Sequence, residues 1–386
     1  MKKSLWTILH QNLYHFINRR RTKMYTQEQK QNFSKILKNV AEELDIPDSK
    51  YEEAKKRYEG VGEWLGIDPE FHQFNPEIYT QGSFSIGTVV KPITDEDEYD
   101  IDLVCELDIN KNNITQTDLK DKVGNRLKEN ERYNKIINEG RRCWTLEYAN
   151  EFHMDILPAI PDHEKADNCI LITDKKLRLW QHSNPKGYTT WFKNRMRAAF
   201  NKRRILLAEE TGTYVDDVPE YKVKTSLQRS VQILKRHRDI YFNGKNNKPI
   251  SIIITTLAGL IYGNEEDLYD ALFNIIQNLS DINSLKIDGE YQILNPVNSD
   301  ENFADKWNEN EELPKAFNGW IRQLNTDFNN AFKKKELFEI TNSLKPVLGA
   351  GLIANVFNGI LKKQNITVKT YPKVKIKNPD KPWGTC

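Results

Sequence analysis

Two aspartates lie two positions apart in a stretch of the chain whose pattern indicates a β-strand. Successive side chains of a strand point to opposite faces, so in residues 98–107 (EYDIDLVCEL) Asp100 and Asp102 share one face while Ile101 and Leu103 share the other. A rise of roughly 3.3 Å per residue places the two carboxylates about 6–7 Å apart. Such carboxylates repel each other unless a divalent cation bridges them, and Mg²⁺ suits them because it takes oxygen ligands and shares its shell with substrate phosphates. The pair therefore predicts a metal-binding platform for phosphate chemistry.

A turn of small residues precedes this strand and offers groups that bind phosphate. Gln81-Gly82-Ser83 opens the turn, and a second turn follows at Gly87-Thr88 before an acidic run. Glycine lets backbone N–H groups approach a phosphate closely, and a hydroxyl adds a donor. We predict that Gln81, Gly82, Ser83 and Thr88 bind the phosphates of a nucleotide. The alternative is an ordinary hairpin with solvated acids, since neither motif is specific alone.

The turn and the aspartate pair together resemble the nucleotidyltransferase superfamily that includes DNA polymerase β. That resemblance implies a third carboxylate on a neighbouring strand, and residues 151–160 (EFHMDILPAI) offer Asp155. Asp100, Asp102 and Asp155 are then the expected catalytic residues and the ligands of two Mg²⁺ or Mn²⁺ ions. Asp155 would hold the metal that lowers the pKa of the attacking hydroxyl. His153 shares its face, and we expect it to be structural or to support the site without acting in catalysis.

The composition is that of a charged globular chain without a dominant electrostatic surface. The 386 residues suffice for one or two domains with a buried core. The 57 basic and 55 acidic residues nearly cancel, which argues against a dedicated DNA- or membrane-binding surface. Mean hydropathy is −0.71. The four cysteines form no CxxC pair, which argues against a zinc site or a disulfide framework, and we expect a reducing, cytoplasmic setting.

Periodicity divides the chain into two lobes with a segment at each end. Residues 26–66 predict two long helices behind the first lobe, the second of them capped by Asp48 or Ser49, whereas residues 162–190 are expected to be irregular. A basic helix at residues 191–210 indicates either nucleic-acid contact or, as we favour, a solvated face. The predicted divisions are an N-terminal extension (1–24), a nucleotidyltransferase lobe (25–215), a helical second lobe (216–365) and an extended or disordered tail (366–386).

Two stretches of the second lobe carry a more specific resemblance. Residues 228–262 contain QxxxQILKRHRDxYF followed by PxSIIITTLAGLxY, and residues 295–307 are NPVNSDENFADKW. With the upstream motifs, they resemble the bacterial cGAS/DncV-like nucleotidyltransferases (CD-NTases), with the 2′-5′ oligoadenylate synthetases as more distant kin. In that family a lysine of the first helix and the serine that opens the second reach the donor triphosphate, which implies Lys235 and Ser251 here. Alone, Ser251 would be interpreted as a helix N-cap, and Arg236 is expected on a solvated face.

The resemblance implies an α/β (α+β) fold: a polymerase β-like nucleotidyltransferase lobe with a mixed sheet, a helical C-terminal lobe, and an active site in the cleft between them. It implies an enzyme that joins NTPs (ATP, GTP or both, with others open) into a cyclic di- or trinucleotide second messenger and releases pyrophosphate, in antiphage defence. The product would act on a separate effector, and regulatory or C-terminal-conjugating proteins are expected partners. The zinc insertion of the animal members is absent from the sequence, so neither obligatory DNA activation nor a membrane is expected.

Two other functions stay open from the residues alone. A different polymerase β-like enzyme could use the same aspartates to modify RNA, a protein or a small molecule. A degenerate member could instead be a nucleotide-sensing scaffold without activity. The Lys235 and Ser251 helices argue against the first, and the intact set of three aspartates argues against the second. Base choice, ring size and linkage (2′-5′ or 3′-5′) are open as well.

Overall fold

The computed structural model of the chain describes residues 26–94, 99–148, 152–165, 167–174, 180–279 and 285–369. The predicted N-terminal extension, the acidic run at residues 95–98 and the tail beyond residue 369 lie outside these ranges. The last helix extends through Lys369, so the first four residues of the predicted tail are helical rather than extended.

A mixed sheet forms the centre of the first lobe, as the sequence predicts. Its strands are β1 (Glu77–Gln81), β2 (Tyr99–Glu106), β3 (Ile137–Glu139), β4 (Trp144–Tyr148), β5 (Phe152–Pro161), β6 (Ile170–Ile172) and β7 (Gln181–Ser183). The strand order is β1-β2-β5-β4-β3, and β6 pairs with both β5 and β7. Strands β2 and β5 run parallel, whereas the other pairs in the sheet are antiparallel. The two aspartate-bearing strands are therefore direct neighbours at the centre of the sheet.

Helices cover the apolar face of this sheet. The helices of the first half of the chain are α1 (Gln27–Glu43), α2 (Asp48–Gly66), α3 (Pro69–His72), α4 (Gly82–Ser85), α5 (Gln116–Lys128), α6 (Glu131–Asn134), α7 (Pro185–Arg195) and α8 (Arg197–Thr211). Val61 and Leu65 of α2 and Val123 of α5 share a buried core with Ile101 and Leu103 of β2. Burial of this face leaves the alternate positions of β2, including its aspartates, facing the other way.

The second lobe is mostly helical, as predicted. It contains α9 (Ser226–Tyr241), α10 (Ser251–Ile261), α11 (Leu268–Asn278), α12 (Asp305–Glu309), α13 (Glu312–Phe332), α14 (Leu337–Leu348) and α15 (Ala350–Lys369). Two short hairpins, β8 (Lys286–Ile287) with β9 (Glu290–Tyr291) and β10 (Leu294–Asn295) with β11 (Asn298–Asn302), lie between α11 and α12. No helix in the described ranges is both long and apolar enough to cross a membrane.

Helix α1 corrects one expectation, because it packs in the second lobe and not behind the sheet. The ring of Phe33 lies 4.7 Å from that of Phe332 and 5.9 Å from that of Tyr269. Its buried apolar positions join the same core as α9, α11 and α14. Helix periodicity identifies the buried face of α1 but not the partner of that face, so the sequence assigned it to the adjacent lobe.

Three local expectations were also wrong. Pro47 holds the N-cap position of α2, so neither Asp48 nor Ser49 caps it. Residues 162–190 contain β6, β7 and the start of α7, where the side chain of Asn184 caps the helix and Pro185 takes its first position. The basic helix is interrupted at Met196. The basic side chains nevertheless lie on a solvated face, as favoured: the exposed Lys202 and the partly exposed Arg203 pair with Glu266 and Glu210.

Candidate active site

Strand pairing brings the three predicted aspartates to one place. Asp102 of β2 lies directly opposite Asp155 of β5, and Asp100 lies opposite His153. On its other side, Asp102 is opposite Gln81 at the end of β1. Because facing residues in paired strands are neighbours on one face of the sheet, the carboxylates of β2 and β5 converge there. Asp100 is the exposed member of the group, whereas Asp102 and Asp155 are half-buried.

The turn after β1 approaches these carboxylates very closely. Gly82 has φ +62°, and a Cβ built there would overlap Oδ2 of Asp102. Glycine is therefore required at this position for two reasons: the backbone is left-handed, and a side chain would clash with the carboxylate of Asp102. The backbone N–H of Thr88 donates to the carbonyl of Ser83 (2.9 Å), which closes the chain from Gly82 to Thr88 into a compact loop over the edge of the sheet.

Burial and like charge destabilise the ionised aspartates. Burial, with the charges of Asp155 and Asp100, raises the pKa of Asp102 to about 7. Although Asp100 is the more exposed carboxylate, partial desolvation by the surrounding protein and the charge of Asp155 raise its pKa, and the charges of His153, Lys248 and Lys235 oppose this. A cation would relieve the repulsion, because it favours the charged form of every carboxylate around it.

Lys235 reaches the same region from the second lobe. It is buried, with 5 % of its surface exposed, and burial together with the charge of Arg238 lowers its pKa to about 7. Its Nζ donates to the backbone carbonyl of Thr88 (3.1 Å) and is 3.2 Å from the Oγ1 of Thr88. Two predicted nucleotide-binding residues from different lobes are thus in direct contact.

Ser251 opens α10 but does not cap it. Ile250 holds the N-cap position, and Ser251 is the first helical residue. The Oγ of Ser251 accepts a hydrogen bond from Nη1 of Arg238 (2.8 Å), whose Nη1 also donates to the carbonyl of Pro249. The N-cap interpretation is therefore wrong, and a buried arginine holds the serine hydroxyl at the start of the helix.

The two lobes enclose a cleft of about 530 Å³. Four of the predicted residues line it: Ser83, Asp100, Lys235 and Ser251. His153 also lines it, as do Lys245 and Lys248, two cationic groups suited to an anionic ligand. A second cavity of about 580 Å³ lies behind the turn, against Phe84 and Gly87, and none of the three aspartates lines it. The chemistry therefore belongs to the smaller cleft.

Several residues of the site were not identified from the sequence. Thr145 of β4 lies opposite Asp155, and its Oγ1 donates to Oδ1 of that aspartate (2.5 Å). A threonine in a strand has no distinctive signature, so this contact appears only with the sheet register. Arg236 was expected on a solvated face, but it is buried and donates to the carbonyls of Lys91 and Pro92.

The aspartates fit a metal that binds together with a phosphate ligand. Across the described ranges, no group of three His, Cys, Asp or Glu side chains forms a complete metal cage. Mg²⁺ nevertheless binds commonly through one or two carboxylates and completes its shell with water and substrate phosphates. Carboxylates beside a cleft that is lined by cationic groups meet that requirement. The raised pKa of Asp102 shows that its ionised form is unfavourable without a cation, and a bound cation would stabilise that form.

A family model and a curated relative both identify the chain with synthases of nucleotide second messengers. The model of the Second Messenger Oligonucleotide or Dinucleotide Synthetase domain matches residues 28–195. A c-di-GMP synthase of Roseivirga ehrenbergii is 34% identical over 334 residues, which cover 84% of this chain and 86% of the relative.

Solved structures share the two-lobed fold. The CD-NTase CdnG of Bradyrhizobium diazoefficiens, solved with GTP, has a TM-score of 0.69 at 22% identity and covers 85% of this chain and 99% of that one. The CdnC of E. coli MS115-1, in its HORMA complex, has a TM-score of 0.61 at 14% identity and covers 82% of this chain and 96% of that one. The chain belongs to the bacterial cGAS/DncV-like nucleotidyltransferase (CD-NTase) family and is a nucleotidyltransferase that synthesises cyclic oligonucleotides.

Proposed function

We propose that this enzyme joins two molecules of GTP into cyclic di-GMP. The observation that carries the chemistry is the register of β2 and β5, which sets Asp102 opposite Asp155 beside a cleft lined by Lys235. Support for guanine comes from the relative named a c-di-GMP synthase, and from the structural neighbour solved with GTP. Each step forms a bond from a ribose hydroxyl oxygen to an α-phosphorus, breaks the bond to pyrophosphate and releases the hydroxyl proton.

Asp100, Asp102 and Asp155 are the proposed ligands of two Mg²⁺ or Mn²⁺ ions. When bound, these ions lower the pKa of the attacking hydroxyl and neutralise charge on the phosphates. Asp155 would serve the ion that activates the attacking hydroxyl, and the Oγ1 of Thr145 fixes one of its carboxylate oxygens. Asp100, the more exposed carboxylate, faces the cleft from which the nucleotide enters.

The turn and the second lobe together hold the triphosphate in this proposal. Gln81 and Gly82 set the backbone beside Asp102, and the Ser83 hydroxyl offers a donor at the cleft. Thr88 is buried and contributes through its contact with Lys235. Lys235 and the Ser251 hydroxyl face them from the second lobe. A polyanion in the cleft favours the ammonium form of Lys235, so nucleotide binding restores the charge that burial suppresses.

The biological setting is proposed from the family. We place the reaction in the cytoplasm, as part of antiphage defence, with the cyclic product binding a separate effector protein. The structural neighbour solved as a HORMA complex supports a protein regulator of the synthase. No DNA ligand is required in this scheme.

The test is product analysis with the purified full-length chain. Incubation with each NTP alone and in pairs, with Mg²⁺ or Mn²⁺, is followed by mass spectrometry and digestion by a linkage-specific nuclease. The expected result is cyclic di-GMP from GTP alone, and none from the Asp100→Asn, Asp102→Asn double variant. A mixed or three-membered ring would overturn the choice of product, and nucleotide transfer to RNA, protein or a small molecule would overturn the cyclase reaction itself.

A further inference from the structure

Residues 86–92 form one side of the nucleotide cleft, and we call them the wall segment. They follow the phosphate-binding turn and belong to neither a helix nor a strand. Four of them, Val89, Val90, Lys91 and Pro92, line the cleft together with Ser83. Since regular secondary structure does not fix this backbone, other contacts must set its position.

The backbone N–H of Lys91 donates to the carbonyl of Leu44 (2.8 Å), and the other contacts come from one row of side chains in the second lobe. The row comprises Lys224, just before α9, and Gln228, Gln232, Lys235 and Arg236 within it. They donate in turn to wall carbonyls: Lys224 to Gly87 (3.0 Å), Gln228 to Ile86 (2.9 Å), Gln232 to Val89 (2.8 Å), Lys235 to Thr88 (3.1 Å), and Arg236 to Lys91 (2.5 Å) and Pro92 (3.1 Å). Positions spaced by three and four share one side of a helix, so α9 presents a continuous row of donors to this backbone.

The amide of Gln228 serves two elements at once. Its Oε1 accepts from the backbone N–H of Thr225 (2.9 Å), which completes a capping box at the start of α9. Its Nε2 donates to the wall. The cap fixes the amide orientation, because the oxygen must face the N–H of Thr225, and the donor end then faces Ile86.

On the wall segment, Gly87 leaves the space that the side chains of Gln228 and Lys224 occupy. It has φ +67°, and a Cβ at this position would lie 2.6 Å from Nε2 of Gln228 and 3.2 Å from Nζ of Lys224. A side chain here would therefore displace both donors. The glycine and the row of donors form a close contact behind the loop that carries Ser83 and Thr88.

We propose that Gln228, Gln232 and Lys224 are positioning residues for nucleotide binding, which act by holding the wall segment where its loop can meet the triphosphate. Gln228 and Gln232 are 5 % and 1 % exposed and touch the wall, not the cleft. The inference rests on the proposed function, since the bound group is the triphosphate of an NTP. It extends that function by assigning a role to polar residues on the face of α9 that meets the wall.

Gln228→Glu separates the two contacts of Gln228. The glutamate retains an acceptor for the Thr225 cap and loses the donor to the wall. Gln29→Glu is the matched control, because Gln29 has the same place in the capping box of α1 and its Nε2 donates to Lys333 O, far from the cleft. Binding of a non-hydrolysable GTP analogue and of GMP is measured by calorimetry with Mn²⁺, together with KM and kcat. We expect Gln228→Glu to bind the analogue about tenfold more weakly, with a matching rise in KM, unchanged GMP affinity and kcat within about threefold.

Lys224→Met provides a second test that does not depend on the folding of the first variant. It removes the donor to Gly87 while keeping the aliphatic chain, and Lys222→Met is its control because Lys222 is exposed and pairs with Asp48. The same selective loss of analogue binding is expected for Lys224→Met alone.

Either variant, if folded with the analogue affinity and KM of the parent, overturns the proposal; so does equal weakening of GMP and the analogue. A lower melting temperature with unchanged affinity would assign the row a purely structural role. These binding measurements do not depend on the product, so a parent enzyme that makes another nucleotide refutes only the proposed function.

Discussion

At the scale of single residues, the site is a group of like charges held by the sheet. Burial and the charges of Asp155 and Asp100 raise the pKa of Asp102 from 3.8 to about 7. The folded protein therefore binds this proton more tightly than the unfolded chain does. Between these two pKa values, the contribution of Asp102 to stability falls as pH rises, because the unfolded chain releases the proton there while the folded protein retains it.

Asp102→Asn should separate catalysis from stability. Synthesis is expected to fall by about three orders of magnitude, since Asp102 is a proposed metal ligand and several kcal/mol of charge stabilisation would depend on it. In metal-free buffer the variant should unfold at a temperature equal to or above that of the parent at pH 8. This advantage should shrink towards pH 4, where the parent is protonated.

Scanning calorimetry between pH 4 and pH 8 measures the difference in unfolding temperature between Asp102→Asn and the parent. Asp121→Asn is the control, because Asp121 is an exposed acid on α5. A variant that retains synthesis would remove Asp102 from the metal platform.

Thr145 gives a second prediction at this scale. Thr145→Val removes the hydroxyl that donates to Asp155. Asp155 is a proposed metal ligand, and loss of the partner that orients such a ligand typically weakens metal binding 10–100-fold. We therefore expect Mn²⁺ affinity, measured calorimetrically with a GTP analogue, to fall roughly tenfold. Thr145→Ser keeps the hydroxyl and should bind Mn²⁺ as the parent does. Equal affinity in the valine and serine variants would contradict a role for this contact.

At the scale of elements, the alternation of apolar and polar residues predicted the strands of the site and the face on which their aspartates lie. Strands β2 and β5 were identified from their period of two, and the face shared by Asp100 and Asp102 followed from it. The helix α9 was identified from apolar residues at helical spacing, but the contacts of its polar residues were not predicted. Gln232 and Arg236 are polar, which a periodicity argument assigns to solvent, yet they are buried against the backbone of residues 86–92. Hydropathy does not distinguish a polar side chain that faces water from one that donates to another segment.

The loop that opens at Gly82 gives the prediction for this scale. In Gly82→Ala the new methyl group combines an unfavourable positive φ with a clash against Asp102. Gly212→Ala, at the end of α8, has a similar φ (+65°), but its methyl group points into open space. Each should lose about 1–2 kcal/mol from the backbone alone. Only Gly82→Ala should also lose synthesis of the cyclic nucleotide from GTP, because the methyl group displaces the carboxylate of Asp102. Chemical denaturation and initial rates measure the two effects, and equal rates for both variants would refute the close approach.

At the scale of the whole molecule, the lobes are not consecutive in the chain. Helix α1 lies near the start of the described chain but completes the core of the second lobe, where Phe33 packs on Phe332. The wall segment belongs to the first half of the chain and is held by α9. The sequence divided the chain linearly, since local patterns carry no information on which distant helix a buried face meets. The contacts of the wall segment with α9 join the two sides of the cleft, so we expect the two lobes to unfold together.

Phe33→Ala tests this coupling. Phe33 is 1 % exposed, and truncation of a buried phenylalanine costs about 3–5 kcal/mol. Phe338→Ala is the control, because Phe338 is 60 % exposed and should change stability by no more than about 0.5 kcal/mol. Scanning calorimetry of the full chain should show one transition, shifted as a whole to lower temperature in Phe33→Ala, and saturating GTP analogue with Mn²⁺ should move that same transition upwards. Two resolved transitions, with only the ligand-independent one shifted by Phe33→Ala, would show that the lobes unfold separately. Below its transition, Phe33→Ala should retain the KM of the parent for GTP, since Phe33 lies outside the residues that line the cleft.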